Sequence, residues 1–171
     1  MRATITKPAL AALLFFTLPG LSFGASDQDV VTACTALVHE YAYHRDRWDA
    51  DSYANTFTED GEVVFPDGRT FKGRETLRQR MRDDGGKTVS RHLMTTVNIF
   101  PGRDNGEHNT ATGLSYLLVF QEPAPQTPAV LTANSYIVGE YHDEFVIDDT
   151  GCKFARRTIK FVFKSAAAPK Q

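Results

Sequence analysis

The sequence predicts an α+β fold in which a curved, mostly antiparallel sheet wraps round a long N-terminal helix. Helical patterns fill the first part of the chain, and four long runs rich in β-branched and aromatic residues fill the rest. Helices and strands therefore do not alternate as they do in α/β proteins. A strongly twisted sheet that curls round a helix encloses a space between the two, so this order of elements also predicts a small-molecule cavity.

Two helices are predicted before the first strand. Ser26 begins a capping box, and apolar residues recur at steps of three and four from Val30 to Tyr41. This pattern predicts one long amphipathic helix that ends at about Arg47. Asp49 or Asp51 can cap a short second helix, which is expected to include Phe57. The polar residues at the end of the long helix would then lie where the chain enters the cavity.

Turn signals delimit the remaining elements. A turn over residues 59–61 precedes a hairpin of strands 62–66 and 69–71, and a third helix covers residues 73–84. The four long runs are separated by segments rich in Gly, Pro, Asn and Asp, and neighbouring strands joined in this way form an antiparallel meander. These runs cover residues 88–100, 110–121, 130–147 and 153–164.

Residues 1–24 have the pattern of a secretory signal peptide, in which a positively charged start is followed by an apolar stretch and small residues. Cleavage is expected after Gly24 or Ala25. The apolar stretch is shorter than the ~20 residues that a membrane span needs, so a membrane anchor is the less favoured interpretation. We therefore expect a periplasmic or secreted protein with one domain over residues 25–164 and a flexible tail over residues 165–171.

Composition and missing motifs narrow the range of partners. The chain has a formal net charge of −2 and contains no long basic run. Neither nucleic acid nor, after signal cleavage, a membrane is therefore an expected partner. The sequence patterns of phosphate-binding loops, hydrolase nucleophile elbows and zinc proteases are absent. We accordingly predict neither a metal site nor a cofactor, and we expect a small molecule as ligand or substrate.

The two cysteines, Cys34 and Cys152, leave two interpretations open. In an oxidising compartment they could form a disulfide that closes a long loop. They could equally be two small buried hydrophobic side chains.

A series of short motifs carries a resemblance to a known family. The motifs, in order, are Tyr-x4-Asp at 41–46, Phe57 with a Glu-Asp-Gly turn, F-x-G-R-E at 71–75, R-H-L at 91–93 with Asn98, G-x-Y-x-D at 139–143, and F-A-R-R at 154–157. Over about residues 28–164 the chain resembles the SnoaL-like branch of the nuclear-transport-factor-2-like superfamily. The resemblance implies a cone-shaped, cystatin-like α+β barrel, as in ketosteroid isomerases, scytalone dehydratase, bile-acid dehydratase and SnoaL-type polyketide cyclases.

The same resemblance indicates three candidate catalytic residues. In dehydratases of this fold, a Tyr and an Asp at the end of the first helix and a His on the first long strand perform the chemistry. These positions match Tyr41, Asp46 and His92. Asp46 and His92 would act as acid and base, and Tyr41 would polarise a carbonyl oxygen. The alternatives are a solvent-facing Asp46, a structural His92 and a Tyr41 that belongs to the core.

Four further side chains are candidates for substrate binding. Gln121 and Tyr141 stand where scytalone dehydratase has a His and an Asn, which is a departure from the scytalone-type site. Tyr53 is a candidate for the rim of the cavity. Met94 follows His92 by two residues and is therefore expected on the same strand face.

Alternation along the first long strand also separates an inner from an outer face. His92 is predicted to share its face with side chains that suit a pocket wall, namely Ser90, Met94, Thr96 and Asn98. The opposite, partly apolar face would carry Arg91, Leu93, Val97 and Ile99. Because an apolar sheet face needs cover, and because this fold commonly dimerises there, we expect a homodimer.

Two functional hypotheses from different classes follow. The first is a cofactor-free lyase (dehydratase) or isomerase that uses Asp/His acid–base chemistry on a small hydroxy-carbonyl compound. The alternative is a small-molecule-binding or assembly module that uses the same cavity without catalysis. The catalytic hypothesis requires that Asp46 and His92 point to one shared site, and the binding hypothesis does not.

Overall fold

The computed structural model describes residues 26–104, 107–124, 128, 130 and 136–164. The predicted signal peptide and the predicted C-terminal tail lie outside the described residues. In chain order the elements are α1 (Asp27–Arg47), α2 (Ala50–Asn55), β1 (Phe57–Val64), β2 (Thr70–Lys72), α3 (Arg74–Asp84), β3 (Thr88–Asp104), β4 (Glu107–Pro123), β5 (Tyr136–Asp148) and β6 (Gly151–Lys164).

The six strands form one sheet in the order β2-β1-β6-β5-β4-β3. Strands β3 to β6 pair antiparallel with their neighbours in the predicted meander, and β1 also pairs antiparallel with β2. The exception is β1 with β6, which run parallel because the chain crosses over between them through α3 and the meander. The curved, mostly antiparallel sheet with its N-terminal helix confirms the predicted α+β class.

Helix α1 begins at the predicted capping box, in which Ser26 and Asp29 bond each other's backbone N–H groups. It packs against β3 and β6. Its buried face consists of Val30, Cys34, Leu37, Val38, Tyr41 and Ala42. The helix therefore uses the predicted apolar stripe to close one side of the curved sheet.

A disulfide between Cys34 and Cys152 joins α1 to β6. This decides between the two interpretations of the cysteines. The bond links residues 118 positions apart, and in the chain-entropy model a loop of this size adds about 4–5 kcal/mol to stability.

Strand β1 differs from its prediction at its start. Phe57 opens β1 instead of extending α2, and residues 59–61, predicted as a turn, lie within the strand. The reason is a tertiary contact: Thr56 O accepts from Phe154 N of β6, and Gly61 O accepts from Gly73 N. The register of β1 against β6 shifts in this segment, so the polar Glu-Asp-Gly run forms an irregularity in the strand.

Strand β3 contains a bulge that the two-residue alternation does not reveal. The pairing with β4 shifts between Thr95 and Asn98, and Thr96 has a positive φ of 49°. Beyond the bulge, Val97 and Ile99 pack against the core, whereas Asn98 is exposed. The prediction that Val97 and Ile99 face away from His92 was therefore wrong. The prediction that Asn98 shares a strand face with His92 was wrong for the same reason.

Candidate functional site

Asp46 lies in the last turn of α1. Trp48, the residue that ends this helix, holds the turn close to β3. Trp48 caps α1 with a left-handed φ of 56°. Its indole Nε1 donates to Thr88 O, 2.9 Å away, at the start of β3. The end of α1 is thereby held against the first residues of β3.

The Asp46 carboxylate accepts three hydrogen bonds from β3. His92 Nδ1 lies 2.6 Å from Asp46 Oδ1, and Ser90 Oγ donates to the same oxygen at 2.8 Å. The backbone N–H of His92 donates to Oδ2 at 2.8 Å. The His92 and Asp46 side chains are only 9% and 6% exposed. The two predicted acid–base residues thus form a buried dyad, and Asp46 does not face solvent.

The hydrogen bonds determine the charge on Asp46. Burial alone would raise its pKa, but the bonds from His92 and Ser90 outweigh burial and hold the pKa below its ordinary value. Asp46 is therefore a carboxylate at neutral pH, and His92 Nδ1 must carry a proton to donate to it. The Nε2 atom is then the ring nitrogen left for a ligand, as in other carboxylate-oriented histidines.

Tyr41 lies in a separate cluster of aromatic rings. Its side chain is 3% exposed. The ring packs against Tyr53 and Tyr141 at centroid distances of 5.2 and 5.8 Å. In the described part of the chain, no hydrogen bond joins Tyr41 to Asp46 or His92. The structure therefore brings two of the three predicted catalytic residues into contact and places the third among core side chains.

A buried ion pair lies at the centre of the aromatic cluster. Arg157 is fully buried and donates through Nε and Nη2 to the two Asp143 oxygens at 2.8 and 2.7 Å. Its guanidinium carbon lies 4.1 Å from the ring centroids of Tyr41, Tyr141 and Phe154. Burial alone would lower the pKa of Arg157, but Asp143 raises it above its ordinary value. Arg157 is thus a permanent internal cation.

No role was predicted from the sequence for Arg157 and Asp143, although the sequence contained a signal for a buried ion pair. Tyr141 and Asp143 are two residues apart in β5, so they share a face that is otherwise apolar. A carboxylate on such a face requires a cationic partner. Ser90 was expected only as a pocket-wall residue, and its bond to Asp46 depends on the packing of α1 against β3.

The structure places the four predicted binding residues in three different locations. Tyr53 and Tyr141 belong to the aromatic cluster, and burial raises the pKa of each phenol well above its ordinary value. Met94 lies two residues beyond His92 and packs against the core. Gln121 is exposed at the end of β4, directly opposite Ser90 in the strand register.

A cavity of about 320 Å³ opens beside the dyad. Its lining residues are Arg45, Trp48, Phe65, Arg80, Asp84, Lys87, Thr88 and Gln121. Asp46 and His92 do not line it directly, but Arg45 precedes Asp46 in the chain and Gln121 pairs with Ser90. A larger groove of about 640 Å³ runs along α3 near Phe71 and touches neither member of the dyad.

Within the described residues, no three His, Cys, Asp or Glu side chains are grouped so that they could hold a metal ion. None of the helices in this part of the chain is long and apolar enough to cross a membrane.

The family follows from a match over most of the chain. Residues 29–158 match the model of the SnoaL-like domain. This chain belongs to the SnoaL-like domain family. No curated relative matches it.

Several solved structures are similar to this chain. A protein of unknown function from Mycobacterium tuberculosis is 27% identical, with a TM-score of 0.63 over 81% of this chain and 77% of that one. A candidate scytalone dehydratase from Novosphingobium aromaticivorans is 21% identical, with a TM-score of 0.65 over 81% of this chain and 88% of that one. An NTF2-like protein with a cystatin-like fold, from the same species, is 20% identical, with a TM-score of 0.61 over 82% and 87%. The last two likenesses show the shared fold.

Replacement of Ser90 should change the ionisation of Asp46. The Ser90→Ala variant removes one of three donors, so the Asp46 pKa is expected to rise toward its ordinary value. A depressed folded-state pKa contributes stability above the unfolded-state pKa of about 4, and this stability is lost as pH falls through the folded-state value. The variant should therefore lose less stability on acidification. The carboxyl-carbon NMR titration of Asp46 measures the shift directly.

Ser115→Ala provides the matched control for this prediction. Ser115 is also buried in the sheet, and its hydroxyl has no hydrogen-bond partner among the described residues. Its loss should leave the Asp46 pKa unchanged. Equal Asp46 titration curves in the two variants would show that Ser90 does not stabilise the carboxylate.

Proposed function

We propose that this SnoaL-like protein is a cofactor-independent lyase or isomerase that moves a proton on a small hydroxy-carbonyl compound. The observation that carries the proposal is the buried contact of 2.6 Å between Asp46 Oδ1 and His92 Nδ1. A carboxylate that orients a histidine in this way prepares Nε2 for proton transfer at neutral pH. In this proposal His92 exchanges the proton, and Asp46 holds the ring and stabilises its positive charge.

The proposed reaction begins at the carbon next to the carbonyl. His92 Nε2 takes a proton from that carbon, and the electrons of the broken C–H bond form an enolate. In a dehydration the enolate expels the β-hydroxyl group, and the proton on His92 leaves with it as water. In an isomerisation the same proton returns to a different carbon. The likeness to the candidate scytalone dehydratase supports the first form.

Tyr41 is proposed to act on the carbonyl oxygen. A phenol that donates to this oxygen stabilises the negative charge of the enolate. The Arg157 guanidinium, 4.1 Å from the centroid of the Tyr41 ring, supports this role because a nearby cation stabilises negative charge on an adjacent oxygen. Because the Tyr41 side chain is only 3% exposed, this role requires a substrate that enters the aromatic cluster from the side of the dyad.

Substitutions in the dyad test the proposal. His92→Gln and Asp46→Asn should each lower turnover by ~10²–10⁴, because each removes acid–base function from the dyad. Deuterium uptake at the α-carbon of small β-hydroxy ketones in D₂O, followed by NMR, reports proton abstraction even when no product accumulates. Mass analysis for loss of water reports the complete dehydration.

His39→Gln is the control, because His39 is an exposed histidine on the same helix as Asp46. It should keep full activity. Full activity in both dyad variants would exclude this mechanism. Ligand-induced stabilisation of the wild-type protein without proton exchange would instead support the non-catalytic binding or assembly module.

We further propose that the protein is exported to the periplasm or secreted. The predicted signal peptide lies outside the described residues, and the Cys34–Cys152 disulfide supports the proposal because such bonds persist in oxidising compartments. Expression in a Gram-negative host should yield a periplasmic protein that lacks residues 1–24 or 1–25. Recovery of the full-length mass from the cytoplasm would contradict it.

We also propose a homodimer formed through the outer face of the sheet. Leu93, Leu118, Val138 and Phe163 lie in register across β3, β4, β5 and β6. Leu93 and Phe163 are 44% and 64% exposed, so this apolar row is open to a partner.

Sedimentation velocity tests the homodimer. The wild-type protein should sediment as a dimer, and Leu93→Glu should convert it to a monomer, because a charge would be buried unpaired at the interface. The control is Val130→Glu, which adds the same charge at an exposed apolar residue outside the strands. A wild-type monomer at all concentrations would contradict the proposal.

A further inference from the structure

The cavity beside the dyad has an excess of positive charge. Arg45, Arg80 and Lys87 line it together with one carboxylate, Asp84. Asp84 is shared, because it lies 3.8 Å from Arg80 and 3.3 Å from Lys87. Among the described residues, Arg45 forms no ion pair with a carboxylate.

Arg45 differs in this respect from the arginines on α3. Arg78 and Arg82 both contact Asp51 at 2.9 Å, and Arg74 pairs with Glu59. By contrast, Arg45 Nη1 is enclosed by protein and has no hydrogen-bond acceptor in the described part of the chain. An enclosed charged donor without an acceptor is costly. Because Arg45 lines the cavity, an anion bound there would offset its unpaired charge.

Aromatic side chains hold the arginine planes in place. The Arg45 guanidinium lies 4.3 Å from the Trp48 ring centroid, and Trp48 is itself anchored to Thr88. The Arg80 guanidinium lies 4.5 Å from the Phe65 ring centroid. A guanidinium placed over an aromatic ring keeps its N–H groups for partners in its own plane, and two such groups can bind a carboxylate through parallel hydrogen bonds.

The charge of Arg45 also acts on a buried residue, Tyr141. Burial raises the pKa of Tyr141 well above its ordinary value, and the charges of Arg157 and Arg45 both oppose this rise. Arg45 lines the cavity and is also close enough to the aromatic cluster for its charge to act on Tyr141. Within the described residues, this cluster contains a second guanidinium nitrogen without a hydrogen-bond partner, Arg157 Nη1. A ligand bound at Arg45 would therefore lie close to this cluster.

We propose that this cavity is an anion site whose ligand is a small planar organic acid. Arg45 binds its carboxylate, and its apolar body lies against Trp48 and Phe65. The volume of about 320 Å³ is at the lower end of the range for small-molecule pockets, which suits a compound of about the size of an aryl carboxylate. This inference rests on the proposed function in one point, namely that the bound acid is the hydroxy-carbonyl substrate.

Direct binding tests the site without any need for turnover. Benzoate and cinnamate should bind the wild-type protein about 10–100-fold more tightly than benzamide, which has nearly the same shape as benzoate but no charge. Isothermal titration calorimetry measures the dissociation constants. Equal affinity for benzoate and benzamide, or no binding of either carboxylate, would overturn the proposal.

Substitutions at Arg45 assign the binding to this residue. Arg45→Gln should lose about tenfold or more of the benzoate affinity, and Arg45→Lys should recover part of it, because a lysine keeps the charge but not the two parallel donors. Arg47→Gln is the matched control: Arg47 is exposed two residues further along the same helix, does not line the cavity and stacks on Tyr43. Thermal unfolding of each variant shows whether it is folded. Unchanged benzoate affinity in a folded Arg45→Gln variant would overturn the assignment.

The Asp46→Asn variant separates the anion site from the catalytic proposal. It should still bind benzoate more tightly than benzamide, because the carboxylate of the ligand contacts Arg45 and not the dyad. Arg45-dependent binding in a protein that never exchanges a substrate proton would leave the anion site intact and refute the catalytic proposal. The opposite result would be equal affinities for benzoate and benzamide, together with proton exchange on neutral ketones that Arg45→Gln does not change. That result would refute the anion site and leave the catalytic proposal intact.

Discussion

The position of the Asp46 carboxylate against β3 is the interaction on which the candidate site depends. The carboxylate comes from the last turn of a helix, where the helix dipole disfavours negative charge. Three donors from Ser90 and His92 compensate for this position and for burial. The same contacts hold the end of α1 on the sheet and orient the imidazole. Helix packing and the proposed proton transfer therefore share one set of hydrogen bonds.

A second constraint is the internal charge of Arg157. A guanidinium buried completely needs a carboxylate and polarisable surroundings, and Asp143 together with three aromatic rings provides them. Tyr41 is part of this arrangement, and its ring packs with the cluster and not with the dyad. The proposed roles of Tyr41 and Arg45 both depend on positive charge in this part of the molecule, from Arg157 beside the Tyr41 ring and from Arg45 at the cavity.

Much of the architecture could be predicted because it depends on local patterns. The capping box at Ser26, the apolar stripe of α1 and the alternating strands all follow from side-chain periodicity, which needs no knowledge of distant contacts. The predictions were wrong where a distant backbone decided the outcome. Residues 59–61 form part of β1 because they lie beside β6, and the bulge at Thr96 reverses the faces of Val97 and Ile99.

The sequence by itself determined the family, the α+β class and the two chemical groups, a carboxylate and an imidazole, that the helix and the first long strand would carry. Only the tertiary structure decided that Asp46 and His92 touch, that Ser90 joins them, that Cys34 bonds Cys152, and that Arg45 is left without an acceptor. These are contacts between residues far apart in the chain. Their distances depend on how α1 packs on the curved sheet, and local periodicity carries no information about that packing.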